Sequence, residues 1–191
     1  MTSVGAEKSP GAAVPAAGDF MAVVRHFQGP LLRYVGRMLG HQDGQSEDVV
    51  QETFVRLHRQ VSAHGANSVR HLTTWLFRVA HNLTLDTLRK KARRQDAGPV
   101  PVDTPAAEAE QAADDLDALG AVIHQEACQV AVRELSQLDD LYRQVILLKV
   151  VQGMTLREVA EVVGVSIPTV NYRLNEGLGL LARRLRRAGV V

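Results

Sequence analysis

The stretch from residue 155 to residue 174 constrains the fold more than any other part of this sequence. Thr155 can cap a helix, and Glu158 stands three residues later, where a capping box places its second member. Gly164 can supply the positive φ of a tight turn, and Ser166 can cap a second helix directly after it. The segment therefore predicts two consecutive helices joined by a glycine turn, the first over 156–163.

The two predicted helices have distinct inner and outer faces. The residues expected to face inward are Val159, Ala160, Val163, Val170 and Leu174. The polar residues left on the outside of the second helix are Thr169, Asn171, Tyr172, Arg173 and Asn175. This arrangement is typical of a helix-turn-helix whose second helix enters a major groove, and an ordinary helical hairpin is the alternative. The sparse positive charge of the second helix indicates DNA binding that needs help from elsewhere.

Charge is distributed unevenly along the chain. Residues 19–95 hold 12 Lys and Arg against 6 Asp and Glu, and residues 141–191 hold 8 against 3. Residues 96–140 hold 1 against 11. Two basic modules around an acidic middle suit a polyanionic partner, although solvated helix faces are the alternative for any single cluster.

Several function classes are disfavoured by composition. The single cysteine, Cys128, precludes an intramolecular disulfide and a cysteine-rich metal site. The seven histidines have no metal-ligand spacing, and no glycine-rich phosphate loop occurs, so we expect no enzyme, metal or cofactor. No apolar run could span a membrane, and residues 1–18 resemble a disordered leader rather than a signal peptide. We therefore expect a cytoplasmic protein.

Helical periodicity recurs along the remaining chain and predicts an all-α fold. It predicts a first helix that Gly29-Pro30 kinks or splits, a second capped by Ser46, and a third from about Val69 to Arg94. Proline, alanine and acidic residues then predict a linker. The expected domains are a leader over 1–18, helical domains over 19–95 and 130–191, and an acidic, flexible linker with partial helix over 96–129.

Two polar clusters mark the N-terminal helical domain. Asp48, Gln51 and Glu52 lie on the outer side of the second helix, where a partner could dock, although a merely solvated face is the more common case. Asn82, Asp86 and Arg89 share one face of the third helix. A basic run follows on that helix, made of Arg89, Lys90, Lys91, Arg93 and Arg94. Such a basic helix could track a phosphate backbone and read unpaired bases.

In this order, three segments resemble the extracytoplasmic-function (ECF, group 4) sigma factors of bacterial RNA polymerase, in the sigma-70 family. They are Glu47–Phe54, Trp75–Asn82 with Asp86 and Arg89, and Leu156–Ser166 with its following helix. The resemblance covers about residues 19–95 and 130–187. It implies a region 2 domain of three to four helices, and a region 4 helix-turn-helix.

The resemblance also implies site residues and partners. The polymerase-binding residues would be Asp48, Gln51, Glu52 and Arg56. The residues at the −10 element would be Asn67, Trp75, Asn82, Asp86, Arg89, Lys90 and Arg93. The residues at the −35 element would be Ser166, Thr169, Asn171, Tyr172 and Arg173. The implied partners are core RNA polymerase, through its β′ clamp helices and β flap, promoter DNA and an anti-sigma factor.

The resemblance has departures in the second helix of the pair. The family usually has glycine where this chain has Pro168, and often a basic residue where it has Asn171. Glu176-Gly177 replaces a pair that is commonly Ala-Arg. A stand-alone helix-turn-helix regulator is the alternative function, and it would leave the first 95 residues unexplained.

Overall fold

The computed structural model describes residues 15–40, 44–95 and 118–190 of the 191-residue chain. The seven α-helices of these residues are α1 (Phe20–Leu39), α2 (Gln45–His64), α3 (Leu72–Gln95), α4 (Ala118–Ser136), α5 (Asp140–Ile146), α6 (Leu156–Val163) and α7 (Ile167–Arg187). A 3₁₀ turn at Ala66–Ser68 precedes α3, and a π-helical turn at Leu147–Val151 extends α5. No strand occurs in these ranges, so the predicted all-α class is confirmed. Within them, no helix is long and apolar enough to cross a membrane.

The N-terminal unit is a bundle of α1, α2 and α3, in which each helix packs against the other two. Its core includes Phe27 and Leu31 from α1, Leu57 from α2, and Leu76 and Phe77 from α3. Of the predicted kink or split of α1, the split is wrong, because the helix continues through Pro30. Burial of Phe27 and Leu31 on either side of the proline offsets the cost of about 3 kcal/mol for a proline within a helix.

The start of α2 also differs from the prediction. Gly44 is the N-cap residue, with φ of 73°, and no side chain caps this end. Ser46 lies within the helix and is buried, so its predicted capping role is wrong. The positive φ of Gly44 turns the chain into the helix two residues earlier than expected. Glu47 and Asp48 still occupy the first turn, where carboxylates interact favourably with the helix dipole.

The C-terminal unit consists of α4 to α7. The long helix α7 packs against α4, α5 and α6. The side chain of Arg143 fastens α5 to the end of α4: its guanidinium donates to the main-chain oxygens of Leu135 and Leu138, at 3.3 and 2.6 Å, and also to that of Ser136. Its Nη1 lies 2.9 Å from Asp140 Oδ1.

The two units also contact each other. Helix α6 packs against α3, and α5 has a smaller contact with α1. Gln152 Nε2 donates a long hydrogen bond of 3.5 Å to the main-chain oxygen of Pro30. Because α6 has neighbours on more than one side, its buried surface includes Val162, whereas Val163 is only partly buried. The predicted leader lies largely, and residues 96–117 of the predicted linker wholly, outside the described residues.

Candidate nucleic-acid interface

The helix-turn-helix is formed by short-range hydrogen bonds in the way its sequence predicts. Glu158 N donates to Thr155 Oγ1 at 3.3 Å, and Thr155 N donates to Glu158 Oε2 at 2.8 Å, which completes the capping box. Gly164 ends α6 in the left-handed conformation, with φ of 73°. Thr169 N donates to Ser166 Oγ at 3.4 Å and caps α7. These contacts set the angle at which α7 leaves the turn.

The first turns of α7 present a polar surface. Asn171 and Tyr172 are exposed, and 64% of Tyr172 remains accessible. Arg173 and Thr169 are half-buried at the edges of this surface. The hydroxyls of Ser166 and Thr169 lie 2.8 Å apart and serve the cap, which leaves the amide and the phenol as the freest polar groups.

A second polar surface lies on α3. Asn82, Asp86 and Arg89 are exposed, and Arg89 Nη1 lies 3.3 Å from Asp86 Oδ1. Lys90 and Arg93 are exposed farther along the same helix. An exposed pair of this kind contributes little to stability, so these charges are available to a polyanion.

The remaining residues of the −10 set occupy two different environments. Asn67 is exposed in the 3₁₀ turn before α3, whose shape is supported by a 2.7 Å bond from Ser68 Oγ to the oxygen of Gly65. Trp75 is half-buried and packs against the core at the start of α3. The indole thus combines a core contact with an accessible edge.

A third surface lies on α2 and carries the polymerase-binding set. Asp48, Gln51 and Arg56 are exposed, and Glu52 is partly exposed. Arg56 Nε donates to Glu52 Oε1 at 2.8 Å, and this hydrogen bond lowers the pKa of the Glu52 carboxyl. Glu52 is therefore anionic at neutral pH, and the surface offers both signs of charge to a partner.

The three sets of residues lie on α2, on α3 with the turn before it, and on the start of α7, so they form separate surfaces. Sequence reasoning missed structural residues that support these surfaces, namely Gly177 at the α5–α7 crossing and Arg143 at the α4–α5 junction. The departure at Glu176-Gly177 was a signal for the first of them. The pairing of Arg143 with Asp140 is local, but the three main-chain oxygens that it binds leave no signal in the sequence.

Comparison with known proteins assigns the two helical units to two families of domain. The family model Sigma-70 region 2 matches residues 23–94, and the model Sigma-70, region 4 matches residues 129–181. The chain is 30% identical to the ECF RNA polymerase sigma factor SigW of Bacillus subtilis over 169 residues, which cover 87% of this chain and 89% of SigW. The chain belongs to the ECF sigma factors of the sigma-70 family.

A further ECF sigma factor and two solved structures are also similar to this chain. The sigma factor is 29% identical to the ECF RNA polymerase sigma factor SigL of Mycobacterium tuberculosis strain H37Rv, over 94% of this chain and 96% of SigL. Among solved structures, the sigma factor RpoE in complex with the anti-sigma factor NepR from Bartonella quintana aligns with a TM-score of 0.68 at 23% identity, covering 88% of this chain and 97% of RpoE. CnrH in complex with the cytosolic domain of CnrY aligns with a TM-score of 0.58 at 24% identity, over 90% and 93%. These structural likenesses show a shared fold.

Family membership defines the general activity. This protein is a non-enzymatic sigma factor that acts in promoter-specific transcription initiation, and sigma factors bind RNA polymerase. The stand-alone regulator is therefore not required to explain the helix-turn-helix.

Proposed function

We propose that the three surfaces divide the work of initiation between them. The α2 surface, with Asp48, Gln51, Glu52 and Arg56, docks on the β′ clamp helices of core polymerase. The α3 surface and the preceding turn recognise and open the −10 element. The first turns of α7 read the −35 element, while the C-terminal unit engages the β flap. The domain limits 19–95 and 130–191 belong to the same proposal.

The separation of the α3 and α7 surfaces onto different helical units is the observation that carries this proposal. Each surface exposes groups that can contact nucleic acid, and only the α3 surface is strongly basic. The α3 helix can therefore supply most of the electrostatic grip and hold an unpaired base out of the stack. The α7 helix contributes recognition of duplex DNA.

Run-off transcription with core polymerase tests the proposal. A promoter-specific transcript should depend on this chain, and Arg89→Ala should weaken transcription from duplex DNA more than from DNA already opened at the −10 element. Arg173→Ala should lower −35-dependent transcription, whereas Gln28→Ala, on the exposed side of α1, should not. Transcription that ignores the −35 sequence even with the unaltered protein would refute the role given to α7.

A second part of the proposal concerns regulation and location. In the aligned structures, RpoE is in complex with NepR, an anti-sigma factor, and CnrH is in complex with the cytosolic domain of CnrY. We propose that this protein is likewise held inactive by an anti-sigma factor and that it acts in the cytoplasm. A candidate anti-sigma protein should inhibit run-off transcription, and added sigma factor should restore it. If added core polymerase restored transcription and added sigma factor did not, the inhibitor would act on core polymerase and not on this protein.

A further inference from the structure

The outward face of α7 carries an unusual set of side chains for a helix that contacts DNA. Val170 and Gly177 are buried and define its inner side. The opposite side, over about two and a half turns at 3.6 residues per turn, consists of exposed residues: Pro168, Asn171, Tyr172, Asn175 and Glu176. No Lys or Arg stands on this face between Ile167 and Glu176, and one of its residues is a carboxylate.

The nearest cations of α7 do not replace the missing charge. Arg173 is half-buried on the flank of the helix, where it is suited to a backbone phosphate. Arg183 is almost three turns farther along α7 than Arg173, and its Nη2 lies 3.8 Å from Glu176 Oε1. A guanidinium or ammonium group is therefore absent from the centre of the face that would meet base edges.

The chemistry of the major groove limits what this face can read. Guanine presents two acceptors, O6 and N7, and is specified chiefly by bidentate Arg or Lys. Adenine presents an acceptor and a donor, which the amide of Asn matches, and thymine presents a methyl group that favours apolar contact. Asn171 matches the adenine pattern, and the exposed ring of Tyr172 offers an apolar surface for a thymine methyl group.

We infer that this sigma factor specifies its −35 element by A·T base pairs, with adenine read by Asn171 and a thymine methyl group contacted by Tyr172, and with no guanine read by the centre of α7. The inference rests on the proposed function of α7 at the −35 element. It makes Asn171 and Tyr172 specificity-determining residues, while Arg173 acts on the backbone and is neutral to sequence.

Transcription from a promoter library tests this inference. The holoenzyme would be used with templates whose −35 region is randomised and whose −10 region is fixed, and the transcribed templates would be sequenced. A·T pairs should be enriched at adjacent positions. Asn171→Ala should reduce the preference for adenine at one of them by roughly 5- to 100-fold. Asn171→Arg should shift that same base pair toward guanine, while Gln129→Ala, on the exposed surface of α4, should leave the pattern unchanged.

The possible failures are distinguishable. Enrichment of guanine at the base pair that responds to Asn171→Ala would overturn the inference while leaving the role of α7 intact. It would also be overturned if the base preference in the −35 region were the same for Asn171→Ala, for Asn171→Arg and for the unaltered protein. The absence of any promoter-specific transcript from the unaltered holoenzyme would instead refute the proposed function. Circular dichroism of the purified variants would show whether each exposed substitution leaves the helices intact.

Discussion

At the scale of single residues, the core of the N-terminal unit contains an ionisable pair. Tyr34 Oη and His81 Nδ1 lie 2.8 Å apart, and both side chains are almost fully buried. Burial lowers the pKa of His81 to about 4 and raises that of Tyr34. Both groups are therefore neutral at physiological pH, and their hydrogen bond joins α1 to α3 beneath the proposed DNA-binding surface.

The lowered pKa of His81 predicts a pH dependence of stability. In the unfolded chain this histidine takes up a proton near pH 6.5, whereas in the folded protein it does so only near pH 4. The unfolded state thus binds more protons between these values, and the free energy of unfolding should fall by about 3 kcal/mol as the pH drops through this window. Urea unfolding at several pH values measures the effect.

His81→Phe provides the comparison for this measurement. The other histidines and the carboxyl groups remain in the variant, so the difference between the two pH profiles isolates His81. The profile of the variant should be flatter between pH 6.5 and 4. Parallel profiles for the two proteins would show that His81 is protonated equally in both states.

Arg143 is a second residue whose substitution has a predictable cost. Its side chain is 13% exposed and donates to the main-chain oxygens of Leu135 and Ser136 at the end of α4 and of Leu138 just beyond it. Arg143→Met should keep the aliphatic packing, lose these charge-assisted hydrogen bonds, and lower the free energy of unfolding by about 2–3 kcal/mol. Arg133→Met is the control, because the Arg133 side chain is 64% exposed and should change stability by less than about 1 kcal/mol. Equal, small effects would contradict the structural role of Arg143.

At the scale of helices, the crossing of α5 and α7 depends on a missing side chain. A Cβ atom on Gly177 would lie 2.9 Å from Tyr142 Cβ and 3.1 Å from Ile146 Cδ1. The first contact involves an atom next to the backbone, so it cannot be relieved by rotating a side chain. The glycine thus permits the close approach that holds α7 against the rest of the C-terminal unit.

Gly177→Ala should therefore destabilise the protein despite the better helix propensity of alanine. Overpacking costs about 1–3 kcal/mol, and the propensity gain of about 1 kcal/mol offsets part of it. Gly179→Ala is the matched control on the same helix, because its Cβ would meet only the guanidinium end of Arg183, at 3.8 Å. Thermal unfolding should give a lower Tm for the first variant and an unchanged or higher Tm for the second. The reverse order would mean that α7 is not held closely by α5.

At the scale of the whole molecule, the contact between α3 and α6 limits how far apart on DNA the two helical units can bind. A compact chain of this length has a radius of gyration of about 16 Å. The −10 and −35 elements, centred about 25 base pairs apart by their designation, are separated by about 85 Å along B-form DNA at about 3.4 Å per base pair. The arrangement in which α6 packs on α3 cannot place α3 and α7 at once on the −10 and −35 elements that we propose for them, so we expect the units to separate during initiation.

Distance measurements between spectroscopic labels test this separation. Labels at Arg59 on α2 and Arg187 at the end of α7, both exposed, would be introduced as cysteines after Cys128→Ser. The distance between them should increase by tens of ångströms when the protein joins core polymerase and promoter DNA. A label pair at Gln28 and Arg59, within the N-terminal unit, should show no change. An unchanged distance for the first pair in an actively transcribing complex would exclude separation of the units.

The helix-turn-helix shows how much of this protein the sequence determines by itself. Its caps and its turn depend on contacts between residues three to five positions apart, such as those of Thr155 with Glu158 and of Gly164 with Ala160. Because both partners of each contact lie within a few residues of each other, the residue types in that short segment were enough to predict the bounds of α6 and α7 closely. The exposed faces of α2, α3 and α7 followed in the same way from helical periodicity.

The tertiary structure decided the features that depend on distant neighbours. Pro30 remains inside α1 because the core on either side of it offsets the cost of the proline. Gly177 is required because Tyr142, 35 positions earlier, approaches within van der Waals distance, and Arg143 is needed where α4 ends. The packing of α6 on α3 likewise joins segments about 70 residues apart. Local patterns specify where helices begin and which faces they expose, whereas the crossings between helices depend on side-chain volumes that meet only after the chain has folded.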